Sequence, residues 1–354
     1  MARSADYVRN KLEGTGRALP LVSFPLSLGY EAVVRLRNSC YDKKFLHAQK
    51  LPLPVISVGN LTLGGTGKTP AVIMLARLLK ERGYRPAVVS RGYGGRNRGA
   101  VTVVSDGGRI GATSEEAGDE PVLIAESLEN MPVVTARRRV DAGQAVLRNL
   151  EADLLILDDA FQHRSLFRDV DIVLVDGDRP FGNGCIVPGG MLREPPAGIR
   201  RAHLIIVTDA PPGFDAGEIE RVAPDIPIFM AQRRVEDILD CSDGTARSPE
   251  FLRNKRVAAF AGIAFPRRFR DTLLPWCGSL EAFFSFSDHH VYDERDIREI
   301  RAADADVIVT TEKDGVRLRR FPEFYRSLRL LRIGMHIIPS PEELMTTLFE
   351  KLRQ

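Results

Sequence analysis

The sequence predicts an α/β protein, with a mostly parallel sheet flanked by helices and a second, smaller α/β domain after it. Three observations lead there. Short runs rich in Val, Ile and Leu recur between helical stretches, and strands apolar on both faces belong to sheets covered by helices above and below. A glycine-rich turn, GGTGKT at 64–69, joins the first of these runs to a helix. The alternation stops in a proline-rich patch, Pro211 to Pro227, and then resumes. A boundary is therefore expected between Pro227 and Arg234, dividing the 354 residues into domains 1–230 and 231–354.

The elements follow in order. Met1–Gly16 is polar and lacks the apolar core of a cleavable signal. In the next stretch, Leu19 to Leu36, the residues Leu26, Tyr30, Val33 and Val34 fall on one helical face and Ser27, Glu31 and Arg35 on another. Pro20, Pro25 and Glu31 interrupt it too often for a membrane span. Across Met1–Lys44 eight Lys/Arg face four Asp/Glu, an excess that suits an anionic lipid surface; a helix packed on its own domain is the plainer alternative. Strand Pro54–Val58 leads through the glycine turn to a helix from Pro70 to Arg82, closed by Gly83. Further strands are expected at 86–90, 101–104, 132–135, 154–157, 171–175 and 204–207. Beyond the proline patch come strands at 256–261, 280–286, 307–311 and 328–333, then a helix at 342–351.

Several function classes are excluded early. The formal charge is +3 and no basic run is interleaved with aromatics, so nucleic acid is not an expected partner. Cys40, Cys185, Cys241 and Cys277 are scattered without CxxC spacing, which fits a reducing cytoplasm and neither a disulfide framework nor a zinc knuckle.

The turn carries the chemistry. Gly64, Gly65 and Gly67 allow successive backbone N–H groups around Thr66 to point inward at phosphate oxygens, at the mouth of the following helix. Lys68 then reaches the outer phosphates, and the Thr69 hydroxyl suits Mg²⁺. Thr62 stands where the first glycine of the usual spacing falls, but that position only begins the loop. In LLILDDAFQH a strand runs into Asp158 and Asp159; carboxylates at the C-terminal end of a parallel strand face the ligand crevice. Asp158 is assigned to the metal shell, with Asp159 beside it. Leu63 occupies the place where one ATPase class carries a second lysine, and TTEKD at 310–314 is not a guanine-reading N-K-x-D. A kinase or a conformation-switching ATPase remains.

Eight phrases then occur in one order: VGNLTLGGTGKTP, SRGYGG, GDEP, DDAFQH, FGNG, LREP, DHH and TTEKD. Together they resemble the tetraacyldisaccharide 4'-kinase family from about Leu19 to the C-terminus. Two positions depart from the family pattern: Ala160 replaces a common glycine, and Met191 precedes LREP where proline is common. The resemblance implies ATP as phosphate donor with Mg²⁺, an acylated glucosamine disaccharide as acceptor, and peripheral attachment to the membrane surface on the cytoplasmic face of the inner membrane. The chain is expected to act as a monomer. The resemblance makes Asp119 of GDEP the leading base, where the residues alone suggest a helix cap, and makes His289 of DHH its partner across the domain gap. It also places Arg91, His163, Arg193 and Glu194 as substrate or anion contacts. A switch-type ATPase or GTPase acting on a protein partner is the alternative, followed by a nucleotide-binding adaptor without turnover.

Overall fold

The computed structural model describes residues 20–97 and 101–353; the expectation for Met1–Gly16 lies outside them. Helix α1 (Pro20–Asp42) precedes strand β1 (Val55–Asn60), which feeds helix α2 (Lys68–Glu81). There follow β2 (Pro86–Ser90), β3 (Thr102–Asp106), the short α3 (Ser114–Ala117), α4 (Asp119–Ser127), β4 (Pro132–Thr135), α5 (Arg139–Asn149), β5 (Leu154–Asp158), β6 (Val170–Asp176), β7 (Leu204–Thr208) and α6 (Gly217–Val222). The second half contains β8 (Ile228–Asp240), β9 (Ala246–Arg247), β10 (Arg256–Ala261), α7 (Pro266–Leu273), β11 (Ser279–Ser285), α8 (Glu294–Arg301), β12 (Val307–Thr311), α9 (Glu312–Leu318), α10 (Pro322–Arg326), β13 (Leu328–Ile338) and α11 (Pro341–Leu352).

One sheet runs through both halves in the order β11-β10-β12-β13-β8-β7-β6-β1-β5-β2-β4-β3, with β9 on β8. Among these strands, the antiparallel pairs are β3/β4, β8/β9 and β8/β13. The buried strands are apolar on both faces because each face meets helices. Along β5, Leu154 and Ile156 pack with α2 and α4, while Leu155 and Leu157 pack with α5. In the second half, Val257, Ala259 and Ala261 of β10 pack against α7 on one face, and Phe260 meets the ring of Tyr292 on the other.

Three expectations change. The region expected to be a boundary is the start of β8, a strand of 13 residues. It escapes a periodicity reading because its charged side chains are half-exposed and paired: Arg233 with Asp209, Glu236 with Arg77, Asp237 with Arg332. The division at residue 230 also has to let the last helix cross back. Leu344, Met345 and Leu348 of α11 complete the core of the first half, and Phe349 stacks on Tyr84 at 5.3 Å. Finally, the predicted stripe of α1 splits, with Leu26, Tyr30 and Val33 exposed and Val34 buried. Ser27 and Val34 face the protein, and the Ser27 hydroxyl accepts from Gly189 N at 2.8 Å. Leu26, Val33 and Leu36 point outward, each more than 60% exposed. No described helix is long and apolar enough to cross a membrane.

Candidate active site

The glycine turn lies where β1, buried along its whole length, gives way to α2. Gly67 caps that helix with φ 81, a left-handed conformation that costs an L-residue about 1–2 kcal/mol. Asn60, the last residue of β1, braces the turn: its amide donates to Thr66 Oγ1 at 2.9 Å, and its oxygen accepts from Lys68 Nζ at 3.4 Å. Thr208 Oγ1 at the end of β7 donates to Thr66 O at 3.3 Å. Lys68 Nζ also lies 3.8 Å from Asp159 Oδ1. Burial lowers the pKa of Lys68, the Arg193 guanidinium acts in the same direction, and the nearby carboxylates oppose them.

Asp158 and Asp159 end β5 beside this turn and have different surroundings. Asp158 is 2% exposed, and its Oδ2 accepts from Ser90 Oγ at 3.0 Å. Burial first, then the Glu120 and Asp159 carboxylates, push its pKa up to about 6. Asp159 accepts from Arg193 Nη1 at 2.7 Å. It also adopts φ 47, so the left-handed residue of DDAFQH is Asp159 and Ala160 keeps an ordinary backbone. Arg139, at the start of α5, is 2% exposed and donates to the carbonyl oxygens of Asp158 and Asp159 at 3.2 and 3.4 Å.

Asp119 is not the helix cap that its sequence context allows. Gly118 occupies the cap with φ 92, and a side chain there would collide with the Tyr93 carbonyl oxygen. That close approach nests the SRGYGG loop against GDEP. Asp119 sits in the first turn of α4, and its Oδ2 meets His289 Nδ1 at 3.1 Å. The same oxygen accepts from Arg317 Nε at 2.7 Å. Burial would raise the Asp119 carboxyl, but the His289 hydrogen bond and the Arg317 charge outweigh it and hold the group well below the usual carboxylate range. The hydrogen bond to Asp119 raises His289, against partial burial.

All of this surrounds one cavity of about 1650 Å³. Gly64 to Thr69, Asp158, Asp159, Arg91, His163, Arg193 and His289 border it; Asp119 lies behind His289. Burial and the neighbouring Arg139 hold His163 down to about 4, so it is neutral at physiological pH. Glu194 is the exception among the expected contacts. It is 0% exposed, and its carboxylate accepts from Arg201, Gln162 and the Asn38 amide of α1 at 2.9 to 3.1 Å. It therefore holds the LREP turn to α1 and does not reach the substrate space.

Sequence reasoning missed Asn60, Glu120, Arg139, Lys313 and Arg317. TTEKD held part of the signal: Thr311 caps α9, and Lys313 and Arg317, four residues apart, reach Glu120 and Asp119. Arg319 pairs with Glu126 at 2.8 Å, so α9 and α4 meet through three ion pairs.

A family model described as tetraacyldisaccharide-1-P 4'-kinase matches residues 19–353. The chain is 44% identical over 329 residues to the tetraacyldisaccharide 4'-kinase of Syntrophus aciditrophicus, covering 88% of each chain. It is 43% identical over 300 residues to that of Geobacter sulfurreducens, covering 84% of each. Among solved structures it resembles LpxK from Aquifex aeolicus in complex with ATP, with 34% identity, a TM-score of 0.77, and coverage of 93% of this chain and 98% of that one. With the glycine turn, the paired aspartates and the Asp119–His289 contact around one cavity, and a family match over nearly its whole length, the chain belongs to the tetraacyldisaccharide-1-P 4'-kinase family.

Proposed function

We propose that this protein transfers the γ-phosphate of ATP to the 4'-hydroxyl of tetraacyldisaccharide 1-phosphate, a step of lipid A biosynthesis. The observation that carries this is the hydrogen-bonded Asp119–His289 pair, whose imidazole borders the same cavity as the glycine turn.

Phosphoryl transfer depends on positioning and charge neutralisation, with a base for the hydroxyl proton. The turn amides and Lys68 hold the phosphates. With a carboxylate opposite Nδ1, the neutral His289 ring carries its proton there. Nε2 is then the basic nitrogen, and His289 is the member of the pair that borders the cavity. It takes the alcohol proton, and Asp119 stabilises the imidazolium that forms. This reverses the expected order of roles, because Asp119 lies behind the ring and is held a weak base by Arg317. Arg91, Arg193 and the neutral His163 line the cavity for anionic oxygens of donor or acceptor. Thr69, Asp158 and Asp159 are the residues that would hold Mg²⁺. They offer hard oxygen donors that border one cavity, with the Asp158 carboxylate buried and oriented by Ser90 Oγ at 3.0 Å. A metal ion held by these residues would neutralise charge on the phosphate oxygens.

Because the base is neutral His289, turnover should rise about tenfold per pH unit below the ring's pKa and level off above it. That limb should lie above the ordinary histidine value, since the Asp119 bond raises the ring. A pH–rate profile without such a limb removes His289 as the base.

The acceptor is lipid-borne, and each buried methylene contributes about 0.8 kcal/mol to its retention in the bilayer. The outward Leu26, Val33 and Leu36 of α1, with Lys43 and Lys44 at its end, form the docking face on the cytoplasmic side of the inner membrane. Val33→Asp with Leu36→Asp should reduce co-sedimentation with anionic vesicles by about tenfold or more, leaving nucleotide binding in solution intact; unchanged sedimentation rejects α1 as the docking element. Residues 20–230 with α11 are the kinase core, and the rest of the second half is a smaller lobe carrying His289. The direct test of function is γ-labelled ATP with detergent-dispersed tetraacyldisaccharide 1-phosphate. Label should enter the lipid phase; label recovered only as free phosphate overturns the proposal.

A further inference from the structure

Behind the Asp119–His289 contact lies the guanidinium of Arg317, whose geometry reaches beyond its effect on the Asp119 carboxylate. Arg317 is 10% exposed and does not border the cavity, so it is not a substrate ligand. Its Nε and Nη2 both donate to Asp119 Oδ2, the oxygen that receives His289. Its third nitrogen, Nη1, donates to Gly262 O at 2.7 Å and Asp314 Oδ1 at 3.0 Å. Asp314 is fully buried and is itself fixed by Tyr292 Oη at 2.8 Å, Gly262 N at 3.1 Å and Thr311 Oγ1 at 2.6 Å. The guanidinium is thus held from behind and delivered to one carboxylate oxygen. A forked, charge-assisted contact of this kind fixes orientation as well as energy.

We propose that Arg317 is a positioning residue for the phosphoryl transfer: by sharing Asp119 Oδ2 with the imidazole it locks the carboxylate, keeps His289 Nε2 toward the cavity and tempers the ring's basicity. The proposal rests on the reading of Asp119 and His289 as the proton-accepting unit. The groups facing His289 come from several elements. Asp119 reaches it from α4 and Arg317 from α9, while its chain neighbour Asp288 lies 4.0 Å from Nε2. The Tyr93 ring sits 5.5 Å away after β2, and Lys313 is paired with Glu120 nearby. The carboxylates favour the imidazolium and the Arg317 cation opposes them. Removing that cation leaves the ring protonated to higher pH, so a free base is available only at higher pH.

The test pairs pH–rate profiles of lipid labelling with an NMR titration of the His289 imidazole, assigned by its loss in His289→Ala. In Arg317→Gln both the acid limb and the titration should move up by about one pH unit, with turnover at pH 7 lowered about 10- to 100-fold. Arg317→Lys keeps a cation and should restore the wild-type limb while remaining slower, because the fork is lost. Slowed turnover in Arg317→Gln with limb and titration unmoved makes Arg317 a structural prop and overturns the proposal. A displaced limb in Arg317→Lys does so independently, should the glutamine variant fail to fold. Wild-type turnover in His289→Ala would instead bring down the proton-accepting reading itself, whatever the Arg317 variants do.

Discussion

Lys68→Ala is expected to lower phosphate transfer to the glycolipid by about three orders of magnitude or more, while nucleotide binding weakens far less. The separation follows from what each group contributes. Backbone amides of the turn do not depend on the lysine side chain, and Asn60 still braces Thr66 in its absence. The ammonium, by contrast, is the cation that β1 and β5 jointly place in front of the turn, 3.4 Å from Asn60 Oδ1 and 3.8 Å from Asp159 Oδ1. It acts most strongly as charge moves onto the bridging oxygen, so its loss is felt in kcat. Lys68→Met, which keeps the volume, should behave like alanine. Equilibrium binding of a fluorescent ATP analogue and lipid labelling, measured on the same preparation, separate the two effects. Undiminished labelling would remove Lys68 from the mechanism.

The second large effect concerns the Asp119–His289 pair. His289→Ala and Asp119→Asn should each cost about 100- to 1,000-fold in turnover, and the double variant should be little worse than either. A base and the carboxylate that stabilises its protonated form fail together when either fails. Asparagine is preferred to alanine at position 119 because it keeps an acceptor for the Nε and Nη2 of Arg317, whose Nη1 is held by Asp314 and Gly262 in any case. Thermal melting of each variant separates folding from chemistry. Losses that multiply in the double variant would mean that the two residues act independently.

Much of this was legible in the sequence, for reasons that differ by region. Strands buried on both faces announced themselves, since burial leaves only apolar residues: β2, β4, β10 and β12 lie where the runs predicted. The turn and the paired aspartates were legible because their chemistry is local, a few residues between one strand and the next helix. Strand β8 was not, because its charges are neutralised by partners on β13, α2 and the end of β7, distant in sequence. The orientation of α1 was hidden for a related reason: Ser27 and Asn38 are polar yet face inward, satisfied by Gly189 and Glu194. Arg317 was the least visible, an arginine among several in GVRLRR until the fold brings Asp119 against it.

Strand β8 pairs with β13 from Met230 opposite Ile338 to Asp240 opposite Arg329, with one register shift at Arg332/Ile333, so hydrogen-bonded strand runs from one half of the molecule to the other. Such a connection behaves as a leaf spring and not as a loose joint. A paired strand would yield by torsion along its length and keep most of its amide bonds as it does so. Admission of the donor nucleotide and departure of the spent one would then follow a single elastic coordinate, with the imidazole brought back each cycle to the same place.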